Sequence, residues 1–398
     1  MTRPETFVVA GAGMTGLAAA ALLATGRHAQ ALRLVVVDGG ARPSIPDDIA
    51  LRVSALSTGS VDMLDEVGAW PGVTRHCPFD HMRVWDASGA VDGVSTLHFD
   101  ADEFTVPHLG VIAENVVVQC ALLKVLERRG VDVRFEAPLS AVETGSRTHR
   151  VLLATGDFVD AGLIIAADGA NSRVRDNVGI DVQRYDYRQV AFVTHVETEL
   201  PHRATAWQRF LDDGPIGVLP LPDGRSSIVW STAPQRAQQA ADCTDDELGD
   251  LLTRVSDSVL GTMRVAGPRG SFPLLAQHAR QYVKPGIALI GDAAHTVHPL
   301  AGQGANLGLR DAEVLAGVVH DALDAGEHPA DRPVLRRYER ARKGENAAMM
   351  QFLTGLNRLF ASDSALIAEL RKAGMALFNR SGPIRQRVVK VALGSDRR

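Results

Sequence analysis

Residues 7–10 form an unbroken apolar run too short for a helix, a glycine-punctuated stretch follows, and an Ala/Leu-rich run occupies 17–25. A second apolar run at 34–37 stops at Asp38. Short apolar runs bounded by turn residues read as buried strands and the longer run as a helix, so the segment predicts a βαβ unit of about thirty residues. The same criteria predict an amphipathic helix over 115–130, strands at 151–153 and 163–167, and another buried strand at 287–290. Between about 185 and 272 the texture changes, and the alternation at 190–196 and 226–231 predicts partly solvated antiparallel strands. From 335 onward the pattern is helical and charged, without internal repeats.

Composition narrows the classes. A chain of 398 residues suits two intimately packed domains. With 45% hydrophobic and 22% charged residues it has the make-up of an ordinary soluble protein. The net charge of -5 argues against nucleic acid as a partner, because neutralising phosphates needs a surplus of Lys and Arg. Cys77, Cys120 and Cys243 are scattered, odd in number and without His at ligand spacing, which predicts a reducing compartment and no metal site. Residues 7–26 carry no charge, yet glycines at turn spacing break them and no basic lead beyond Arg3 precedes them. They read as strand, turn and helix of a cytoplasmic protein, not as a signal or membrane segment.

The first chemistry-bearing motif is Gly11-Ala12-Gly13-Met14-Thr15-Gly16, set between a strand and a helix. Gly11 permits the tight turn, Gly13 lets the backbone approach a pyrophosphate, and Gly16 lets helix and strand pack closely. Met14 and Thr15 open the helix whose free N–H groups face that phosphate. Asp38 stands where a ribose hydroxyl would bind, or is a turn residue ahead of Gly39-Gly40. A second junction, Gly291-Asp292-Ala293-Ala294-His295-Thr296-Val297-His298-Pro299 and on through Gly302-Gln303-Gly304-Ala305-Asn306, follows the 287–290 strand and opens a helix. Two such turns far apart in the chain imply one extended cofactor gripped at both ends, FAD. A third strand ends in Asp168-Gly169, where Asp168 either helps hold nucleotide or caps the following helix.

These signals predict an α/β fold: a discontinuous Rossmann-like FAD-binding domain, an inserted, mostly antiparallel β-sheet substrate domain, and a C-terminal helical region. The expected boundaries are 1–75, 101–182 and 275–334 for the cofactor domain, 76–100 and 183–274 for the substrate domain, and 335–398 for the helices.

In this order, the GxGxxG turn with its acidic partner, Asp168-Gly169 and Gly291-Asp292 resemble the class A FAD-dependent aromatic hydroxylases, which share the p-hydroxybenzoate hydroxylase fold. Within that group the chain is most similar to the ubiquinone-biosynthesis hydroxylases. The finer match rests on Arg52-Val53-Ser54-Ala55-Leu56, Glu114-Asn115 with Gln119, Trp207-Gln208-Arg209-Phe210, Gly214-Pro215, Leu219-Pro220-Leu221 and the segment from Gly291 to Gly308. It runs from Phe7 to about Phe360, and beyond Leu366 only texture matches. The family usually carries Glu where this chain has Asp38, which keeps the carboxylate and shortens its reach.

The resemblance implies that Gly11, Gly13, Gly16 and Asp38 hold the adenosine half of FAD, Arg52 and Gln119 its pyrophosphate and ribitol, and Asp292 the ribitol hydroxyls. Taken alone, Arg52 suits a diphosphate, with a surface ion-pair residue as the alternative, and Gln119 reads as a polar helix face. The Pro299 to Asn306 loop, with Gly304 and Ala305, would follow the isoalloxazine edge, and a helix starting there would favour the anionic reduced ring. Pro299, Gly302 and Gln303 are the catalytic candidates, beside the place where a flavin C4a-hydroperoxide would sit. His295 and His298 read as architectural, not as general bases.

The implied reaction is hydroxylation of a prenylated phenol in ubiquinone biosynthesis, with NAD(P)H and O2 as co-substrates. With only one GxGxxG, the nicotinamide would bind transiently between domains. Leu219, Pro220, Phe272 and Pro273 are candidates for the substrate wall or ordinary core residues, an ambiguity that Trp207, Phe210 and Trp230 share. Residues 371–398 hold eight basic residues (Arg371, Lys372, Arg380, Arg385, Arg387, Lys390, Arg397, Arg398) against Asp396 alone. They form a solvated face, or dock peripherally to anionic lipid on the inner membrane face or to an acidic partner in a biosynthetic complex. A small soluble phenol as substrate and a non-catalytic flavin-binding scaffold are the competing functions, and a homo-oligomer is compatible with either.

Overall fold

A computed structural model describes residues 4–298, 300–360, 365–379 and 381–394. Its central sheet has six strands, and Leu32–Val37, Glu5–Ala10, Leu163–Ala166 and Ile287–Leu289 lie side by side and parallel in that order. Asp132–Arg134 extends one edge in parallel, and the short Val283–Lys284 closes the other antiparallel. Val8, Val9, Val35, Val36, Ile164 and Ile165 are fully buried on both faces, which is why these strands read as apolar runs without alternation. Helices Met14–Thr25, Asn115–Arg128 and Gln303–Asp324 cover the sheet, and an antiparallel meander (Leu139–Glu143, His149–Leu153, Phe158–Ala161) adds side chains to the same core.

The second body is a nine-stranded, mostly antiparallel sheet. Its long strand Val182–Thr198 pairs with Ser226–Thr232 on one side and Gly270–Ala279 on the other. Gly214–Pro220, Thr205–Leu211, His81–Asp86 and Leu97–Asp100 continue the order. The period-two alternation sorts residues between faces. Phe192, Ile216, Val218, Ile228 and Trp230 pack under helices Pro234–Asp242 and Asp245–Val255. Their neighbours Ala191, Val193, Gly217, Leu219, Val229 and Ser231 face a cavity. His76–Phe79, by contrast, joins a small antiparallel sheet with Gly110–Glu114 and Val53–Leu56.

Helix Arg332–Phe360 packs along Gln303–Asp324, and Ala365–Asn379 and Pro383–Leu393 follow. Two basic side chains of this tail turn inward. Arg371 pairs with the buried Asp86 at 2.5 Å and donates to the Leu359 and Phe360 carbonyls. Arg385 pairs with Glu103 at 2.7 Å, between the rings of Phe99 and Phe104. The tail's charge is therefore partly structural, contrary to a wholly solvated or wholly docking face. Arg380, Arg397 and Arg398 lie outside the described residues. Among those described, no helix is long and apolar enough to cross a membrane.

Trp230 is 0% exposed at the centre of the sheet's helix-covered face. Trp230→Ala is expected to cost about 3–5 kcal/mol in urea unfolding, as removal of a large buried aromatic does. A loss below about 1 kcal/mol would show that this face is not a close-packed core.

Candidate active site

Two helix starts open onto one crevice, and neither is capped by a side chain. Met14–Thr25 begins behind Gly13 and Gln303–Asp324 behind Gly302, whose φ of 63° places it in the left-handed region. The first N–H groups of a helix lack partners within it and carry the positive end of its dipole, so both starts suit phosphate or polarised oxygen. Gly13, Met14 and Thr15 at one end and Gly302, Gly304 and Ala305 at the other line the same cavity of ≈ 690 Å³. A Cβ at Gly13 would meet nothing within 4 Å, so space for a ligand lies against its backbone. Gly11 and Gly16 do not line the cavity. With φ +106°, Gly11 passes so near the next strand that a Cβ would lie 2.2 Å from the Ala167 carbonyl oxygen, and a Cβ on Gly16 would lie 2.0 Å from that of Gly11.

Asp38 braces this turn from outside the cavity. Its two oxygens accept from the Ala12 and Gly40 N–H groups, each at 2.6 Å, leaving only their remaining lone pairs for a ribose hydroxyl. Gln119 lines the cavity and donates to the Ala12 carbonyl at 3.2 Å. The Arg52 guanidinium makes no ion pair among the described residues, lies 5.6 Å from the Phe272 ring centroid and faces the crevice. Asp292 is exposed to the crevice and otherwise enclosed by protein. Burial raises the pKa of its carboxyl, and His295 and Arg52 act the other way.

The second turn holds a short strand that the sequence reading lacked, while its helix begins at the Gly302-Gln303-Gly304 run as expected. Gly291–Ala293 is a single 3-10 turn, His295–Thr296 then adds a short strand to the nine-stranded sheet, and the helix starts at Gln303. The segment thereby stitches the two sheets together. Behind it lies Asp311, 0% exposed, which accepts from the Gly291 N–H at 3.0 Å, contacts His295 Nε2 at 2.5 Å, and accepts from Arg342 at 2.8 Å and Asn346 at 3.0 Å. Burial alone would raise the Asp311 pKa, but His295 and Arg342 outweigh it and hold it low. His295 is thus architectural.

His298 is also architectural. It is 1% exposed, meets Gln189 Oε1 at 3.3 Å and packs edge-on to Tyr187. Burial pushes its pKa down to about 4, so it is neutral at pH 7.

Arg175 and Gln277, neither singled out by the sequence reading, join the third motif to the second. Arg175, 0% exposed, donates to the carbonyls of Ala170 and Ala293, and Gln277 to those of Ala170 and Asp292. Asp168 accepts from the Val174 N–H at 3.1 Å at the start of helix Arg173–Asn177, beside the N-cap Ser172, while its other oxygen is buried without a partner among the described residues. Asn306 spends its side chain on protein contacts, accepting from Ser57 N and Ser60 Oγ and donating to the Ala55 and Gly302 carbonyls. Gln303 and Gly291 do not line the cavity, and Pro299 lies outside the described residues.

Of the wall candidates, Leu219, Phe272, Pro273 and Trp207 line the cavity. Pro220 does not: it is buried, and the pleat turns it away from the face that Leu219 occupies. Trp230 belongs to the core beneath the helices, and Phe210 stacks on Phe360 at 3.8 Å between centroids. No cluster of metal-ligating side chains occurs among the described residues.

The model of the FAD binding domain family matches residues 5–353. The 3-demethoxyubiquinol 3-hydroxylase of Escherichia coli K12 is 36% identical, the alignment covering 98% of this chain and 99% of that one. The human ubiquinone biosynthesis monooxygenase COQ6, mitochondrial, is 33% identical over 97% of this chain and 92% of its own. Among solved structures, p-nitrophenol 4-monooxygenase PnpA of Pseudomonas putida DLL-E4 superposes with a TM-score of 0.78 at 18% identity, covering 100% of both chains. Klebsiella pneumoniae HpxO complexed with FAD and uric acid gives 0.75 at 18% identity, covering 97% of this chain and 96% of that one.

The two helices touch where Gly308 meets Thr15, and a Cβ on Gly308 would fall 2.5 Å from Thr15 Oγ1. Gly308→Ala is expected to destabilise by about 1–3 kcal/mol, and adding Thr15→Ala should restore part of the loss. Strictly additive losses in a double-mutant cycle of thermal midpoints would disprove this contact.

His278 and His298 both have pKa values lowered to about 4, chiefly by burial. Below pH 6.5 the unfolded chain binds protons that the native state refuses, so their stabilisation is complete above 6.5 and lost as pH falls towards about 4. The ceiling is on the order of 3 kcal/mol for each. Urea midpoints flat between pH 7 and 4.5 would contradict neutral, buried rings.

Proposed function

We propose, from the premise that this chain belongs to the FAD binding domain family and to the ubiquinone-biosynthesis hydroxylases within it, that it hydroxylates the aromatic ring of a prenylated phenol at the expense of NAD(P)H and O2. The observation that carries the reading is the crevice itself, lined by two uncapped helix starts, by Arg52 and by an apolar sheet face. Its donor set fits FAD: open backbone at Gly13, a cation free to meet a diphosphate, and a carboxylate at Asp292 to accept from ribitol hydroxyls. FAD, when bound, accepts a hydride from the nicotinamide and activates O2.

The protein's own share is positioning. Backbone N–H groups from Gly13 onward and the Arg52 guanidinium would neutralise the diphosphate, and Gln119 would steady the neighbouring chain. The start of helix Gln303–Asp324 would place its positive end where negative charge develops on the reduced ring. Ala191, Val193, Leu219 and Val229 offer a dry face that would hold the phenol flat and keep water from the reacting atoms. With a single GxGxxG in the chain, the nicotinamide nucleotide would visit rather than occupy a domain of its own.

Purified protein is expected to be yellow and to oxidise NAD(P)H in the presence of a prenylated phenol and O2, with the product gaining one ring hydroxyl. Arg52→Ala should raise the FAD dissociation constant by about 10–100-fold in flavin-fluorescence titrations, the loss of a charge-assisted contact, and Arg52→Lys by less. Folded protein that stays colourless with added FAD would end the proposal.

A further inference from the structure

A ring-hydroxylating crevice must also house whatever the ring carries. The cavity of ≈ 690 Å³ runs from Gly13 to the sheet face, and a volume of this order is filled by one or two compact ligands. A dinucleotide and an aromatic ring account for it, so a long apolar chain on that ring has to leave. Its way out should be marked by apolar side chains that belong to the cavity and to the surface at once, because water-facing apolar area without such a use is a cost.

Two residues meet that condition. Among the exposed large hydrophobic residues described, only Phe272, 37% exposed, and Leu275, 44% exposed, also line the cavity. They lie on strand Gly270–Ala279 on either side of Pro273 and Leu274, which line the cavity too. Its partner strand bulges here: Asp186 pairs with Leu275 and Gln189 with Leu274, so Tyr187 and Arg188, the latter with φ 54°, are extra residues of Val182–Thr198. The bulge lies opposite Leu274 and Leu275, and four consecutive residues, 272–275, border the cavity. Inward, Leu274 packs with Ala191 and Val193, with Leu51 and Val229 against them, so apolar surface is continuous from the sheet face to the rim. Arg52 beside Phe272 gives the same rim a polar side.

The geometry points to the 272–275 segment as the exit along which a polyisoprenoid substituent of the substrate leaves the crevice, with Leu275 and Phe272 as its outer contacts. The inference rests on the prenylated-phenol reading and adds where the chain runs and which residues discriminate its length. The polar side at Arg52 stays with the cofactor, and the hydrocarbon follows Leu274 to Leu275.

The test is a ratio. For the protein with FAD bound, kcat/KM is measured for a phenol bearing a polyprenyl chain and for the same phenol bearing a methyl group, both in the same detergent. The long-chain substrate should be preferred, and Leu275→Ser should lower the long-to-short ratio about tenfold, whereas Leu275→Met should keep it within about twofold. Flavin absorbance reports whether each variant is folded and loaded. An unchanged ratio in loaded Leu275→Ser, or equal kcat/KM for both substrates in the unaltered protein, overturns the exit. Should Leu275→Ser fail to load, the unaltered protein's preference and a Phe272→Ser ratio decide the matter on the same criterion. Turnover of neither phenol by yellow protein instead refutes the hydroxylase reading, a result distinct from either of these.

Discussion

A carboxylate shut off from solvent stays ionised only if its surroundings replace the lost hydration, and the cofactor crevice is built around such a group. Asp311 receives the Gly291 N–H, His295, Arg342 and Asn346. These partners come from the turn after the central strand, from the strand that joins the second sheet, and from helix Arg332–Phe360. One buried charge therefore fixes the relation of the glycine turn to both sheets and to the helical region. Removing it would leave Arg342 buried and unpaired at its core-facing end, since its other carboxylate partner, Glu345, is mostly exposed. The position of the crevice's second wall follows from satisfying that charge.

The nine-stranded sheet meets this constraint with its short edge strand His295–Thr296 and spends its two faces differently. One carries Trp230, Phe192 and Ile228 into a helix-covered core; the other presents small or aliphatic residues such as Ala191, Gly217 and Leu219 to the cavity. Small residues leave room, and apolar ones keep water from competing, so a single alternating pattern supplies both a stable scaffold and a dry reaction surface.

Much of this was legible in the residues. The βαβ unit, the strand before Gly291 and the alternating insert are each set by local rules, run length for buried strands and period two for half-buried ones, and the fold carries them where expected. Gly13, Arg52, Gln119 and Asp292 do converge on one crevice. What local rules could not supply is long-range polar pairing. Arg175 and Gln277 matter because they reach carbonyls of two distant loops, and nothing in their immediate sequence announces it. Asp311 left a trace, being a charge on the apolar stripe that Gly308, Leu309, Ala312 and Leu315 form on one helix. Pro220, Phe210 and Trp230 were ambiguous for a simpler reason: hydrophobicity says that a residue is covered, and only the pleat and the packing say by what.

The crevice is assembled from the beginning and the far end of the chain, Gly13 and Gly302–Ala305, with Arg52 and the sheet between them. During synthesis the first turn emerges long before the second, and the helix that braces Asp311 comes later still. A nascent chain that has not yet exposed Gly302–Ala305 can thus present half a cradle but no closed one. Closure over FAD consequently awaits both turns, and a fragment that stops ahead of the second would keep the glycine turn and Arg52 yet lack the opposite wall.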